Sequence, residues 1–199
     1  MRVSKKQAEE NRERILTSAA RLFRERGIGG AAVDAITKEA GLTHGGLYSQ
    51  FGSKEAIAAE AIGFALGRGR HVWQRLIERH PGRDALPAIV DSYLSRAHRD
   101  SPGTGCVVAA LGTDIARQPR RVRNAFTRQL KEDFEFLSRM MPDARRSDRY
   151  EDAIAAFASM VGALILARAV DDDAFSDLIM KSTAKSVTRR AKTRVLRGS

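Results

Sequence analysis

Thr43, His44, Gly45, Tyr48 and Ser49 offer two hydroxyls, an imidazole, a phenol and a gap without a side chain within seven residues, and Lys54 follows shortly after. Such groups donate and accept hydrogen bonds at phosphate oxygens and base edges; they are not a set that makes or breaks covalent bonds. What could present them is a short helix. Leu47 and Phe51 lie four residues apart, so on a helix both point inward and leave the polar set outward near the N-terminal end. Just upstream, Val33, Ile36 and Ala40 repeat at the same three-and-four spacing, while Asp34, Lys38 and Glu39 face water. Gly41 suits the left-handed residue that ends a helix, Leu42 supplies an apolar plug, and Thr43 can cap the next helix. Two short amphipathic helices around a glycine corner are a helix-turn-helix, whose second helix enters the major groove. An ordinary helical hairpin without nucleic acid has the same spacing.

The flanks extend the pattern. A helix is expected from about Gln7 to Arg26, with Ile15, Ala19 and Phe23 on one stripe, Leu16 and Ala20 beside it, and Gly27 as its stop. After the polar set, Gly52 ends the second short helix and Ser53 caps a longer one. Lys54 then sits in a first turn, mildly unfavourable for the helix dipole but well placed if a phosphate binds at that terminus.

Catalysis finds little support. The chain has no HExxH, Walker loop, glycine-rich dinucleotide fingerprint or Cys/His ligand spacing, so no catalytic residue, cofactor or metal is expected. The acids at Glu132, Asp133 and Glu135 and at Asp171 to Asp173 read as solvent-facing or helix-boundary residues. The single cysteine, Cys106, rules out an internal disulfide. It follows Pro102-Gly103-Thr104-Gly105 at an expected helix N-terminus, where the dipole can favour a thiolate; the plain alternative is a buried small hydrophobe.

Charge is concentrated at the two ends. Residues 1–54 hold ten Lys and Arg against six Asp and Glu, residues 55–180 hold eighteen of each, and residues 181–199 hold seven basic and no acidic residues. A basic N-terminal region beside a neutral body suits phosphate neutralisation. The 43% apolar content is that of a globular chain. With no run of roughly 18 uninterrupted apolar residues and no signal-peptide core, the expectation is a cytoplasmic protein with no membrane association.

Beyond Ser53 the chain reads as all helix, about six in number, with breaks at Pro81-Gly82, Ser101-Pro102-Gly103, Pro119, Met141-Pro142 and Asp171 to Asp173. The helix from about Ser53 to Glu78 is expected to link two domains. Between about Arg145 and Val170, Ile154, Phe157, Val161, Leu164 and Ile165 form an apolar stripe, and Ala155, Ala158, Gly162 and Ala163 permit close approach of another helix. This is the expected dimer interface; its alternative is the central helix of a monomeric core.

Arg12 to Gly30 (RERILTSAARLFRERGIGG), Val33 to Phe51 (VDAITKEAGLTHGGLYSQF) and Gly52 to Ile57 (GSKEAI) together resemble the three-helix DNA-binding domain of the TetR family of bacterial transcriptional regulators. The resemblance covers about a quarter of the chain strongly, and GCVVAALGTDIARQP (Gly105 to Pro119) is similar to a segment in a subgroup of the family's C-terminal domains. It implies an all-α fold, with a helix-turn-helix domain over 1–53 and a helical effector-binding and dimerisation domain over 54–190; from its charge alone, 191–199 is expected to be a basic, disordered tail. It implies phosphate contacts from Thr43, Tyr48 and Lys54, with His44, Gly45 and Ser49 near bases or backbone. One position departs. The family has Thr or Ser just before its second helix, whereas this chain has Ala31 and Ala32, and alanine cannot accept the capping hydrogen bond, at a typical cost of about 1 kcal/mol.

The resemblance further implies a homodimer built as a four-helix bundle from roughly Arg145 to Val170 and Asp173 to Arg190. Two reading heads so paired select a palindromic operator on double-stranded DNA. It also implies a small-molecule effector pocket, for which Phe64, Trp73, Tyr93, Leu111, Phe126, Phe134 and Phe136 supply candidate walls, and His71, His98 and Cys106 candidate polar groups. The functional expectation is a repressor released by an inducer. Two alternatives stay open: an oxidant- or electrophile-sensing repressor acting through Cys106, and a nonspecific nucleoid-type DNA binder.

Overall fold

A computed structural model describes residues 4–141 and 145–195, and every regular element among them is helical. Helix α1 (Lys5–Gly30) begins at Ser4, whose hydroxyl accepts from the Gln7 N–H at 3.2 Å. Gly27 interrupts it at φ 75°, and the last turn runs on to Gly30 in a new direction. Helices α2 (Val33–Ala40) and α3 (His44–Phe51) flank Gly41, which stands in the left-handed region at φ 64°, ψ 39°. There follow α4 (Lys54–Arg79), a 3-10 turn (Gly82–Asp84), α5 (Ala85–Tyr93), α6 (Arg96–Arg99), α7 (Val107–Ile115), α8 (Arg120–Ser138), α9 (Arg146–Ala169) and α10 (Asp173–Val195).

The proline, glycine and aspartate breaks fall between helices as expected, except that Pro142 lies outside the described residues. One break carries no such signal. Leu94 leaves the helical region at ψ 37°, and Ser95 starts α6 by accepting from the His98 N–H at 3.2 Å, so a serine cap alone divides α5 from α6. At the other end α10 continues to Val195, past the residue 190 expected as its limit. No glycine or proline interrupts residues 173–195, and basic residues suit a helix C-terminus. Residues 196–199 lie outside the described set.

The chain forms two compact units. The first takes residues up to Arg68 together with Pro102–Gln129, the second Gly69–Ser101 together with residues from Leu130 on. α4 and α8 each contribute to both. In the first unit Ile15, Ala19, Leu22 and Phe23 of α1 pack with Ile36, Leu47, Ile57, Ile62, Leu111 and Val122, all buried. α1 offers more apolar surface than two eight-residue helices can cover, and α4, α7 and the start of α8 close it. The head is therefore larger than its helix-turn-helix.

In the second unit the core joins Leu86, Ile89 and Val90 of α5 with Leu137 of α8, Met160 and Leu164 of α9, and Met180 of α10. Polar contacts fix its corners: Arg168 donates to the backbone oxygens of His98 (2.7 Å) and Arg99 (2.9 Å), and Arg96 grips Asp177 at 2.7 Å. Within α9, Ser147–Ala169 is long and apolar enough to cross a membrane by length and composition alone, a test that a core helix also passes; Ile154, Ile165 and Leu166 are exposed while Phe157, Met160 and Leu164 are buried.

Candidate nucleic-acid interface

Helix α3 is positioned by what it buries. Leu47 is fully buried and Phe51 nearly so, both in the core of the first unit, whereas Thr43, His44, Gly45, Tyr48 and Ser49 are all exposed, Tyr48 by 43%. Thr43 caps the helix, its Oγ1 accepting from the Gly46 N–H at 3.3 Å, and Gly52 closes it at φ 75°. The Ser49 hydroxyl donates to the Gly46 carbonyl at 2.9 Å. Ser53 then caps α4 through the Ala56 N–H at 3.1 Å. Lys54 donates from Nζ to the Gly29 carbonyl at 3.1 Å, which ties the start of α4 to the end of α1 and leaves two of its ammonium protons for other acceptors.

Three arginines of α1 brace the arrangement. The Arg12 guanidinium stacks over the Phe51 ring at 4.4 Å, donates to the Gln50 carbonyl at 3.3 Å and pairs with Glu60, so one side chain joins α1, α3 and α4. Arg21 pairs with Glu39 of α2 and with Glu25 at 2.8 Å; these partners hold its proton still more firmly than usual. Arg24 donates to the Gly103 carbonyl at 2.8 Å, and burial brings its pKa down to about 10. The bend at Gly27 is secured by Asp114 of α7, whose Oδ2 accepts the Ile28 N–H at 2.6 Å. α2 begins after Ala32, which is exposed and gives no side-chain cap, while the neighbouring Ala31 is fully buried and serves packing.

One contact on the exposed flank escaped the sequence. His44 Nε2 pairs with Oδ1 of Asp34 in the first turn of α2, and the His44 ring lies 6.2 Å from that of Tyr48. Periodicity placed Asp34 in water but carries no information about a partner ten residues away.

The residues expected around an effector divide between the units. Phe64, Leu111 and Phe126 pack with the core of the first, and Cys106 is the half-buried residue preceding α7. In the second, Trp73, Tyr93 and Phe134 surround the Phe157 ring at centroid distances of 5.9, 6.0 and 5.8 Å, with Phe136 stacked on Trp73 at 6.4 Å. His71 is exposed. His98 shares a 2.6 Å hydrogen bond with the Tyr93 carbonyl and is held below the usual histidine range by burial. Beside the aromatic group, Arg70 of α4 reaches Asp133 at 2.6 Å and Glu132 at 2.8 Å. Asp133 is not the solvent-facing acid expected: it is 3% exposed, and burial outweighs the guanidinium and pushes it up to about 6.

The residues of the expected dimer stripe divide between the interior and the surface of the protomer. Phe157 and Leu164 lie in the interior of their own unit, because the aromatic group and the core of the second unit occupy that side of α9. Val161 is half-buried. Ile154 and Ile165 are exposed, together with Leu166, Phe175 and Leu178, of which only the first two were in the stripe. An outward apolar face therefore exists, but it is turned toward Leu166 and onto α10.

A helical head with a glycine-cornered helix pair and an exposed polar flank defines the helix-turn-helix DNA-binding regulators. Residues 15–61 match the family model described as bacterial regulatory proteins, tetR family. An HTH-type transcriptional regulator of Mycobacterium tuberculosis is 30% identical over 176 residues, covering 84% of this chain and 89% of that one. The Escherichia coli regulator UidR is 29% identical over 140 residues, covering 70% and 69%. Among solved structures, a TetR-family regulator of Cytophaga hutchinsonii superposes with a TM-score of 0.76 at 22% identity, covering 94% and 96% of the two chains. Reduced Escherichia coli NemR does so with a TM-score of 0.71 at 21% identity, covering 89% and 94%. The chain belongs to the TetR family and is a DNA-binding transcriptional regulator.

Proposed function

We propose that the protein is a repressor that binds a palindromic operator as a homodimer in the cytoplasm and is released by a small-molecule inducer. The observation that carries this reading is the division of α3 into buried Leu47 and Phe51 and exposed Thr43, His44, Gly45, Tyr48 and Ser49, with Lys54 at the start of the next helix. Thr43, Tyr48 and Lys54 then hold phosphates, and His44, Gly45 and Ser49 approach base edges. Two such heads on a two-fold axis meet successive major grooves. Support for the dimer comes from the exposed Ile154, Ile165, Leu166, Phe175 and Leu178, too apolar a set for a face that stays in water. An inducer that favours badly spaced heads lowers operator affinity by the same coupling free energy by which DNA lowers inducer affinity. The aromatic group around Phe157 is the ligand-binding region on this reading.

In vitro selection from a randomised duplex pool tests it: the protein is expected to enrich a two-fold symmetric sequence, with affinity falling steeply with salt. A nucleoid-type binder would enrich none. Release of the selected duplex by one member of a small-molecule library then identifies the inducer class.

A second reading is favoured by one observation. Cys106 precedes the first turn of α7, half-buried and within electrostatic reach of the Arg24 guanidinium of the same unit. Its sulfur would add to a quinone-type electrophile, the proton ending on the quinone oxygen. Cys106→Ser with an unaltered loss of DNA binding on quinone treatment removes this reading.

A further inference from the structure

We infer that Asp34 is a positioning residue for DNA recognition: it holds the His44 ring in one orientation and one tautomer, and so sets the protein's preference at the base pair His44 reads. This rests on the reading of α3 as the recognition helix. Asp34 lies on α2 and His44 opens α3; both are exposed, and the corner at Gly41 brings His44 Nε2 onto Asp34 Oδ1. The imidazole also has the Tyr48 ring as a neighbour one turn along α3, 6.2 Å between centroids. Few constraints act on an exposed histidine otherwise, and a freely rotating ring would average over donor and acceptor orientations at a base edge.

The carboxylate fixes the chemistry as well as the angle. A carboxylate only accepts, so Nε2 carries the proton in this pair, and in the neutral ring Nδ1 is then the acceptor. In the major groove an acceptor matches the amino groups of adenine or cytosine and is repelled by guanine O6 and N7. A second consideration concerns charge. A negative side chain on a flank that must approach phosphates opposes binding to every duplex alike. Asp34 therefore gives up general affinity, and what it returns is discrimination.

The experiment compares affinity for a duplex selected by the wild-type protein with affinity for a scrambled duplex of the same length. The ratio cancels any difference in folded fraction. Asp34→Ala is expected to raise affinity for the scrambled duplex and lower the ratio by about tenfold. Asp34→Asn, which keeps an acceptor oxygen, is expected to stay within about threefold of wild type. In a His44→Ala background Asp34→Ala should leave the ratio unchanged, because there is no ring to orient. A ratio unaffected by Asp34→Ala, or an equal loss with and without His44, overturns the proposal. Failure of the wild-type protein to select any sequence overturns the recognition-helix reading itself, a distinct outcome.

Discussion

Removing the Tyr48 ring separates two roles that adjacent residues of α3 divide between them. Leu47 is fully buried and Tyr48 is 43% exposed, so the phenol contributes little to the core and can contribute much to an external surface. Tyr48→Ala is expected to weaken binding to a selected duplex by about 10- to 100-fold while changing unfolding free energy by no more than about 0.5 kcal/mol. Gel-shift titration and urea unfolding on one preparation check both halves. This division was readable in advance, because the 3.6-residue period states which side chains share a face. Partners were not. Asp133 looked like a surface acid beside Glu132 and Glu135, yet it is buried against Arg70. Its carboxyl is raised from 3.8 to about 6 by burial, so the folded state holds the proton more tightly than the unfolded one. Stability from this group is complete below about pH 4 and is lost as pH rises through 6. The stability of wild type relative to Asp133→Asn should therefore fall by ~2 kcal/mol between pH 4.5 and pH 7. Urea unfolding of both proteins at the two pH values measures it; a constant difference contradicts it.

At the scale of elements, the corner between α2 and α3 was legible because glycine, an apolar plug and a hydroxyl cap act within three residues of one another. The end of α1 was legible only in part. Gly27 was expected as a stop, and it is instead a bend, since the chain recovers helical geometry for one further turn. The reason lies far away in sequence: Asp114 of α7 accepts the Ile28 N–H at 2.6 Å and holds the turn that the glycine opens. The same stretch gives Gly103, whose carbonyl takes the Arg24 guanidinium and whose hydrogen leaves room for Glu25 and Arg21. No local pattern signals such pairs. If Asp114 secures the bend, Asp114→Ala leaves the Ile28 N–H without its acceptor and should destabilise the fold by about 1–3 kcal/mol. Amide exchange at Ile28 should accelerate more than at Leu47 of α3. Equal acceleration at both sites would show that the loss is global instead of local to the end of α1.

For the whole molecule, the order of helices and the all-α class followed from proline, glycine and periodicity, but the partition of the chain did not. A boundary at residue 53 follows from where the helix-turn-helix ends, whereas the head also takes α4 to Arg68 and the stretch Pro102–Gln129. Periodicity reports that a helix has an apolar face and is silent on which distant segment covers it. The same limit applies to the expected dimer stripe: α9 is apolar nearly all round from Ala153 to Ala167, so periodicity does not say that Phe157 and Leu164 are buried within the protomer. What remains outward is Ile154, Ile165 and Leu166 on α9 with Phe175 and Leu178 on α10, two helices that pack on each other. Leu166 and Leu178 are 56% and 57% exposed, so a charge at either enters no existing core. Leu166→Asp combined with Leu178→Asp is expected to leave helicity and melting of the protomer nearly unchanged. Light scattering should then report the 21.9 kDa protomer in place of twice that mass. If symmetry supplies the operator contact, the variant keeps its weak affinity for a half-site and loses the added affinity for the full palindrome, because the second head is no longer tethered near its site. A variant that stays dimeric, or a monomeric one that binds the palindrome as tightly as wild type, would place the association surface elsewhere or remove the need for it.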